Sequence, residues 1–358
     1  MSSPAHAWGS RGAVRVGGRA VHYRRLDKPG APALVLLHGS PESASALASV
    51  AFVMKERFDV IGLDTPGNGL SQAVDTDRLT SRMLGETLIE TLDAFGIQCA
   101  GVYGSHTGAT IAMEAALLAP ERIAGLVLDG YPVWTEAERE EMLARYLVSY
   151  PPLWDGSHLV RIWARLEEQR LFFPWYDTRD GALLDLPPTP METRLRRLRD
   201  WLTAAETYEA VYTTAFVREG EKGPDRVEVP TLIGATDSDP LSTHLRRIER
   251  RTRTVAVERW GEDREAALQR VLFFLTLNPG TPVERDPNDE TLLAALASPE
   301  PLEGWSPDEH GGFLLKMWRD LRLSEIEGGN RRACLRSRLD PAGLQRRIVS
   351  AIQAHTGL

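Results

Sequence analysis

Residues 102–109 read Val102-Tyr-Gly-Ser-His-Thr-Gly-Ala109, the frame of a sharp strand-to-helix elbow with a histidine at its centre. In such a turn the central side chain is held on a strained bend above a parallel sheet. Glycines stand two before and two after it because strand and helix pass too closely for a Cβ. Gly104 and Gly108 occupy those places, an apolar strand (99–103) precedes them, and residues 109–119 follow with helical periodicity. The frame centres on His106. Ser105 stands one residue early, where its side chain would point away from the pocket and help open the helix.

At 358 residues, 42% hydrophobic and 26% charged, the chain can bury a sizeable core, as one large domain with an insertion or as two domains. A net charge of -8 argues against nucleic acid or an anionic membrane surface as the main partner. Neither the first eleven residues nor any later stretch has the apolar run of a signal peptide or of a membrane span of about 18 residues, so a cytoplasmic location is expected. Cys99, in an expected core strand, and Cys334, in a distant polar tail, form no disulfide framework. The four lysines against thirty-eight arginines suggest a GC-rich bacterial genome more than any chemistry.

Strands and helices alternate along the chain. A hairpin is expected over 14–23 around Gly17-Gly18, strands buried on both faces over 33–37 and 60–63, and further strands over 99–104, 123–128, 231–235 and 254–259. Helices are expected over 44–55, 80–95 and 264–277. Between Tyr131 and Val227 the strand rhythm gives way to helical patterns rich in tryptophan and arginine. Alternation with one long interruption implies a doubly wound sheet carrying a helical cap.

Four motifs in order carry a resemblance to a known family. They are His38-Gly39-Ser40-Pro41 after the third strand, Asp64-Thr-Pro-Gly-Asn-Gly-Leu-Ser71, the elbow, and Val229-Pro-Thr-Leu-Ile-Gly-Ala-Thr-Asp-Ser-Asp-Pro240. The chain resembles the α/β-hydrolase superfamily over about residues 13 to 279, its core looking closest to the capped epoxide-hydrolase, haloalkane-dehalogenase and C-C-hydrolase relatives. The resemblance implies an α/β-hydrolase fold: a mostly parallel eight-stranded sheet with a helical cap insertion and a helical C-terminal extension. The expected layout is core over 1–132, cap over 133–226, core over 227–279 and extension over 280–358. It also implies that 38–41 is the oxyanion loop and that Asp239 holds the position of the catalytic acid.

The departures from that family bear on function. Its nucleophile is a Ser, Asp or Cys, activated by a histidine on the loop after the last strand. Here the nucleophile position is His106, and that loop reads Glu258-Arg-Trp-Gly-Glu-Asp-Arg-Glu265, with no histidine between His244 and His310. What survives is an oxyanion pocket, with the backbone N–H groups of Ser40 and Thr107 converging on it and an imidazole at its mouth. The imidazole reaches toward Asp239 or Asp129. Either carboxylate would fix one tautomer and leave a general base.

The resulting expectation is an enzyme that works without a cofactor or metal on a small, largely apolar organic substrate, by elimination, isomerisation, retro-aldol cleavage, cyclisation or non-standard hydrolysis. A binding or accessory protein without a triad is the alternative. A conventional hydrolase borrowing a histidine from cap or tail is a third. For Asp239 a turn-capping role before Pro240 competes with catalysis; His38 and Asp64 read as braces for their loops, and Asp129 leans to a structural role.

In the cap, Trp154-Asp-Gly-Ser-His158 opens a helix, and His158, Tyr176 or Trp154 could face the pocket opposite His106, although capping or packing is the more ordinary explanation of a lone histidine there. Trp154, Phe172, Phe173, Trp175, Tyr208 and Tyr212 read as cap core. Residues 278–289 read as an exposed connector. Beyond it, 310–318 echoes 155–163 and 345–352 echoes 195–202, suggesting a partial duplication of the cap's helical pair that could extend the lid, support a homodimer, or bring His310 over the pocket.

Overall fold

The computed structural model describes residues 8–73, 75–153, 155–184, 186–217, 223–248 and 253–296, together with Ala342, Gln345, Arg346 and Val349. Eight strands, β1 (Ser10–Val16), β2 (Arg19–Leu26), β3 (Ala33–Leu37), β4 (Asp59–Leu63), β5 (Ala100–Ser105), β6 (Ile123–Asp129), β7 (Thr231–Ala235) and β8 (Val255–Arg259), form one sheet in the order β1-β2-β4-β3-β5-β6-β7-β8. β1, β2 and β4 pair antiparallel, and every pairing from β4 through β3 to β8 is parallel.

The central strands β3, β4 and β7 are buried along their whole length, because helices cover both faces of the sheet. On one face pack α1 (Ala48–Met54) and α9 (Arg264–Leu277), which with Leu34, Leu36, Tyr103, Val127 and Leu232 form one apolar layer. On the other lie α2 (Ser81–Ala94) and α3 (Thr107–Leu118), closing over Val35, Leu37, Val102 and Leu128. The stretch expected as one helix over 44–55 begins with a 3-10 turn, Ala44–Leu47, before α1. Thr80 opens α2 by accepting from Met83 N–H, and Asp263 opens α9 by accepting from Glu265 and Ala266.

The chain divides into two compact units. The first joins Met1–Leu147 to Thr207–Leu296; the second gathers Val148–Glu206 with the chain from Ala297 on. Of the stretch 133–226 expected as cap, the first unit holds 133–147 and 207–226. Aromatic packing is the reason. Tyr146 meets Tyr212 at 5.8 Å, Trp134 meets Phe216 at 5.1 Å and His244 at 4.7 Å, and Arg247 forks onto Glu138, so α4 (Glu136–Arg145) and α7 (Tyr208–Thr213) belong with the sheet. Tyr208 and Tyr212 fall in this first unit. That unit contains α5 (Ser157–Leu171) and α6 (Met191–Thr203), with the Arg165 guanidinium buried between the rings of Trp175 and Trp201.

The connector over 278–289 is partly exposed and bonded back to the first part of the chain. Thr281 N–H donates to Cys99 O, Arg285 N–H to Phe95 O and Asp289 N–H to Ala13 O. Its continuation α10 (Glu290–Leu296) lays Leu292 on Ala13 and Ala20. Residues 310–318, with His310, lie outside the described residues, as do most of 345–352 and Cys334, and with them the duplication.

Candidate active site

The elbow is built as its glycines require. A Cβ on Gly104 would stand 2.3 Å from Gly108 O, and one on Gly108 would stand 2.3 Å from Leu37 O, so β3, β5 and α3 meet with no room for a side chain. The bend this forces falls on His106, whose φ of 50° is the only positive value among the described non-glycine residues. His106 N–H donates to Asp129 O at 2.9 Å, and its own carbonyl receives Ala109 and Thr110 as the first turn of α3.

The imidazole lies between two other glycine backbones. A Cβ on Gly130 would stand 2.3 Å from His106 Cδ2 and 2.9 Å from Asp239 Oδ2; one on Gly39 would stand 3.6 Å from His106 Nδ1. Nε2 reaches Asp239 Oδ2 at 2.8 Å. Asp239 Oδ1 also caps the turn after β7 by accepting from Leu241 N–H at 2.8 Å. One oxygen of this carboxylate thus meets the imidazole and the other caps the turn.

Burial opposes charge on both partners, yet the pair overrides it. Burial would lower the His106 pKa, but the charge and hydrogen bond of Asp239, with lesser help from Asp129 and Glu42, raise it to about 9. Burial would raise Asp239, but the His106 charge and hydrogen bond hold it below the ordinary carboxylate value. An ionised carboxylate only accepts, so Nε2 carries the proton of this hydrogen bond. Nδ1 is then the lone-pair nitrogen of the neutral ring. No described residue bonds it, and the side chain is 41% exposed.

Asp129, the other carboxylate expected within reach of the imidazole, is not its partner. Its Oδ2 accepts from Tyr103 Oη and from Arg264 Nη1 at 2.8 Å, and Arg264 Nη2 donates to Tyr103 Oη at 3.0 Å. Burial, then the Asp129 charge, push the Tyr103 phenol well above its usual pKa. Sequence reasoning passed over Tyr103 and Arg264. The signal was the loop after β8, where Arg264 stands in the stretch that carries a histidine in the family resembled.

The loop after β3 is rigidly placed. His38 Nδ1 donates to Gly39 O at 2.9 Å, while Nε2 accepts from Thr65 N–H at 3.0 Å. Asp64 takes N–H groups from Ala44 and Leu70 and the Nδ1 proton of His22. Burial would raise the Asp64 pKa, but His22 outweighs it and holds the carboxyl well below the usual range. Ser40 N–H, expected to face an oxyanion, donates to Thr107 Oγ1 at 3.3 Å, a long bond to a rotatable hydroxyl. Thr107 N–H heads α3, where the helix offers its amide no partner.

In the inserted unit, His158 is buried and accepts from Leu153 N–H at 3.0 Å, and burial lowers its pKa to about 4. Tyr176 packs edge-on to Trp175 at 5.7 Å. Trp154 lies outside the described residues. Among the described residues no His, Cys, Asp and Glu cluster could hold a metal, and no helix is long and apolar enough to cross a membrane.

An eight-stranded sheet of this order, a glycine-framed elbow after β5 and an aspartate after β7 meeting at the same end of the sheet have a counterpart among known families. Residues 32–252 match the family described as the alpha/beta hydrolase fold. The chain belongs to the α/β-hydrolase family. It is 32% identical over 113 residues to the uncharacterized hydrolase YugF of Bacillus subtilis, a match covering 32% of this chain and 41% of that protein. It is 36% identical over 114 residues to the 2-hydroxy-6-oxononadienedioate/2-hydroxy-6-oxononatrienedioate hydrolase of Paraburkholderia phymatum, covering 31% and 39%. These matches span about two fifths of the curated relatives' length. Among solved structures, epoxide hydrolase A from Mycobacterium thermoresistibile superposes with a TM-score of 0.59 at 19% identity, covering 75% of this chain and 98% of that one. At that identity the likeness is one of fold.

Proposed function

We propose that this α/β-hydrolase family member is an enzyme in which His106, oriented by Asp239, moves a proton on a small, largely apolar organic substrate beside an oxyanion pocket. The observation that carries this reading is the pairing at the ring: Nε2–H spent on Asp239, Nδ1 unbonded and open. In the neutral ring Nδ1 removes a proton from a carbon, hydroxyl or water. The electron pair released moves onto a carbonyl oxygen of the substrate, received by Thr107 N–H and, once it leaves Thr107 Oγ1, by Ser40 N–H. The Nδ1 proton is then returned to product or leaving group, restoring the pair.

Elimination, isomerisation, retro-aldol cleavage and cyclisation all share this step. The hydrolase-named relatives support an enzyme of hydrolase type. The family's ester intermediate is not part of the proposal, because an imidazole stands at the elbow and the loop after β8 supplies Arg264 in place of a histidine. A second reading, a binding protein without turnover, is favoured by the Ser40 N–H already paired with Thr107 Oγ1.

One screen separates the two. Wild type and His106→Ala are assayed against β-diketones, β-hydroxy ketones, esters and epoxides. Turnover by the wild type that His106→Ala loses while retaining its far-ultraviolet circular dichroism supports the base. Equal turnover in both overturns it, and ligand binding without turnover in either selects the second reading.

A further inference from the structure

Two aspartates act on His106 through their charge, yet only one bonds its ring. Asp239 bonds the ring directly, whereas Asp129, whose main-chain carbonyl receives the His106 N–H at 2.9 Å, has its carboxylate drawn to Arg264 and Tyr103. Arg264 is the first residue of α9, in the loop that follows β8, and its guanidinium spans Asp129 at 2.8 Å and the Tyr103 hydroxyl at 3.0 Å. Asp263 sets its position by capping the helix with bonds of 2.9 and 3.1 Å to Glu265 and Ala266. The residue next to Asp129, Gly130, is the one whose backbone lies against the imidazole.

We propose that Arg264 is a positioning residue: by gripping Asp129 it fixes the end of β6 that walls the imidazole and cancels the rival carboxylate, so that His106 pairs with Asp239 alone. The Asp129 carboxylate, buried at 3% exposure, already acts on the ring through its charge, and without Arg264 that charge would act on His106 unopposed. The guanidinium suits this place because its planar fork serves the carboxylate and the phenol at once, which a lysine ammonium does with less geometric control. The groups facing His106 electrostatically are Asp239 from the turn after β7, Asp129 from β6 and Glu42 from the loop after β3; Arg264 itself acts on Asp239.

This inference rests on the proposed proton transfer only for what the imidazole is used for; the positioning is measurable without a substrate. The experiment is an NMR titration of the His106 ring in the full chain, its Cε1 signal assigned by its loss in His106→Gln. Arg264→Gln removes a cation and frees Asp129, so the midpoint should rise by half a unit or more, about threefold in the ratio of charged to neutral ring. Asp129→Asn removes the rival anion and leaves Arg264 unopposed, so the midpoint should fall by a similar amount. Arg264→Lys should return most of the wild-type value. A midpoint unmoved in either folded variant overturns the proposal, and because the two shift in opposite directions, failure of one to fold leaves the other to decide. Should the midpoints move as stated while His106→Ala keeps wild-type turnover, the positioning stands and the catalytic reading falls.

Discussion

His106 Nε2 lies 2.8 Å from Asp239 Oδ2, and the ring's other nitrogen faces the Gly39 backbone with no partner among the described residues. One bond thus orients an imidazole that a strained backbone has already lifted above the sheet. Removing the ring should cost what positioned proton transfer contributes. His106→Ala is expected to lower kcat about 10²- to 10⁴-fold on any substrate the wild type turns over, with the fold intact by circular dichroism.

The pH dependence follows from the same bond. Catalysis by the neutral ring should rise with pH and level off above about 9, and Asp239→Asn should move that limb down toward the ordinary histidine value. Stability runs the other way. A pKa raised in the folded state stabilises fully below the unfolded value near 6.5 and loses that contribution as pH climbs through about 9. Comparing Tm against pH for wild type and His106→Gln checks this; parallel curves between pH 6.5 and 9 would contradict it.

Gly130 and Gly18 make a controlled pair, since both have positive φ, 65° and 81°. An alanine at either carries a backbone cost of about 1 kcal/mol. Only at Gly130 would the new methyl collide with His106, at 2.3 Å; at Gly18 nothing lies within 4 Å. Gly18→Ala should therefore lower the urea midpoint slightly and leave activity alone, whereas Gly130→Ala should lower the midpoint further and displace the imidazole, with a loss of activity approaching that of His106→Ala.

Asp64 is a structural counterpart to Asp239. It is buried at 2% exposure and holds His22, Ala44 and Leu70 together under the loop after β4. Asp64→Ala leaves those donors unmet and should cost about 3 kcal/mol in urea unfolding. Because its folded pKa is depressed, its stabilisation is present above the unfolded value near 3.8 and disappears as pH falls through the folded one. The acid limb of the Tm curve should flatten in Asp64→Asn.

Much of this was legible in the chain alone. β3 (33–37), β7 (231–235) and α9 (264–277) fall where their patterns put them, because fully buried strands and helices opened by a capping aspartate carry their signals locally. The elbow was legible for the same reason: a glycine two residues either side of one position is a steric statement about that position. The division of the inserted region was not. Tyr146, Tyr212, Phe216 and Trp134 look like any helical aromatics in sequence, and only their mutual packing assigns them to the sheet-bearing unit.

The partner of His106 belongs to the same class of question. The sequence by itself placed an imidazole at the elbow and offered two aspartates, at the end of β6 and in the turn after β7, as its candidate partners. Which aspartate it meets is visible only in the tertiary structure, where the ring bonds Asp239 while Arg264, from the loop after β8, bonds Asp129. Local pattern specifies backbone path and burial; it does not encode which of two nearby anions a distant cation will neutralise, because that choice depends on contacts between residues 135 positions apart.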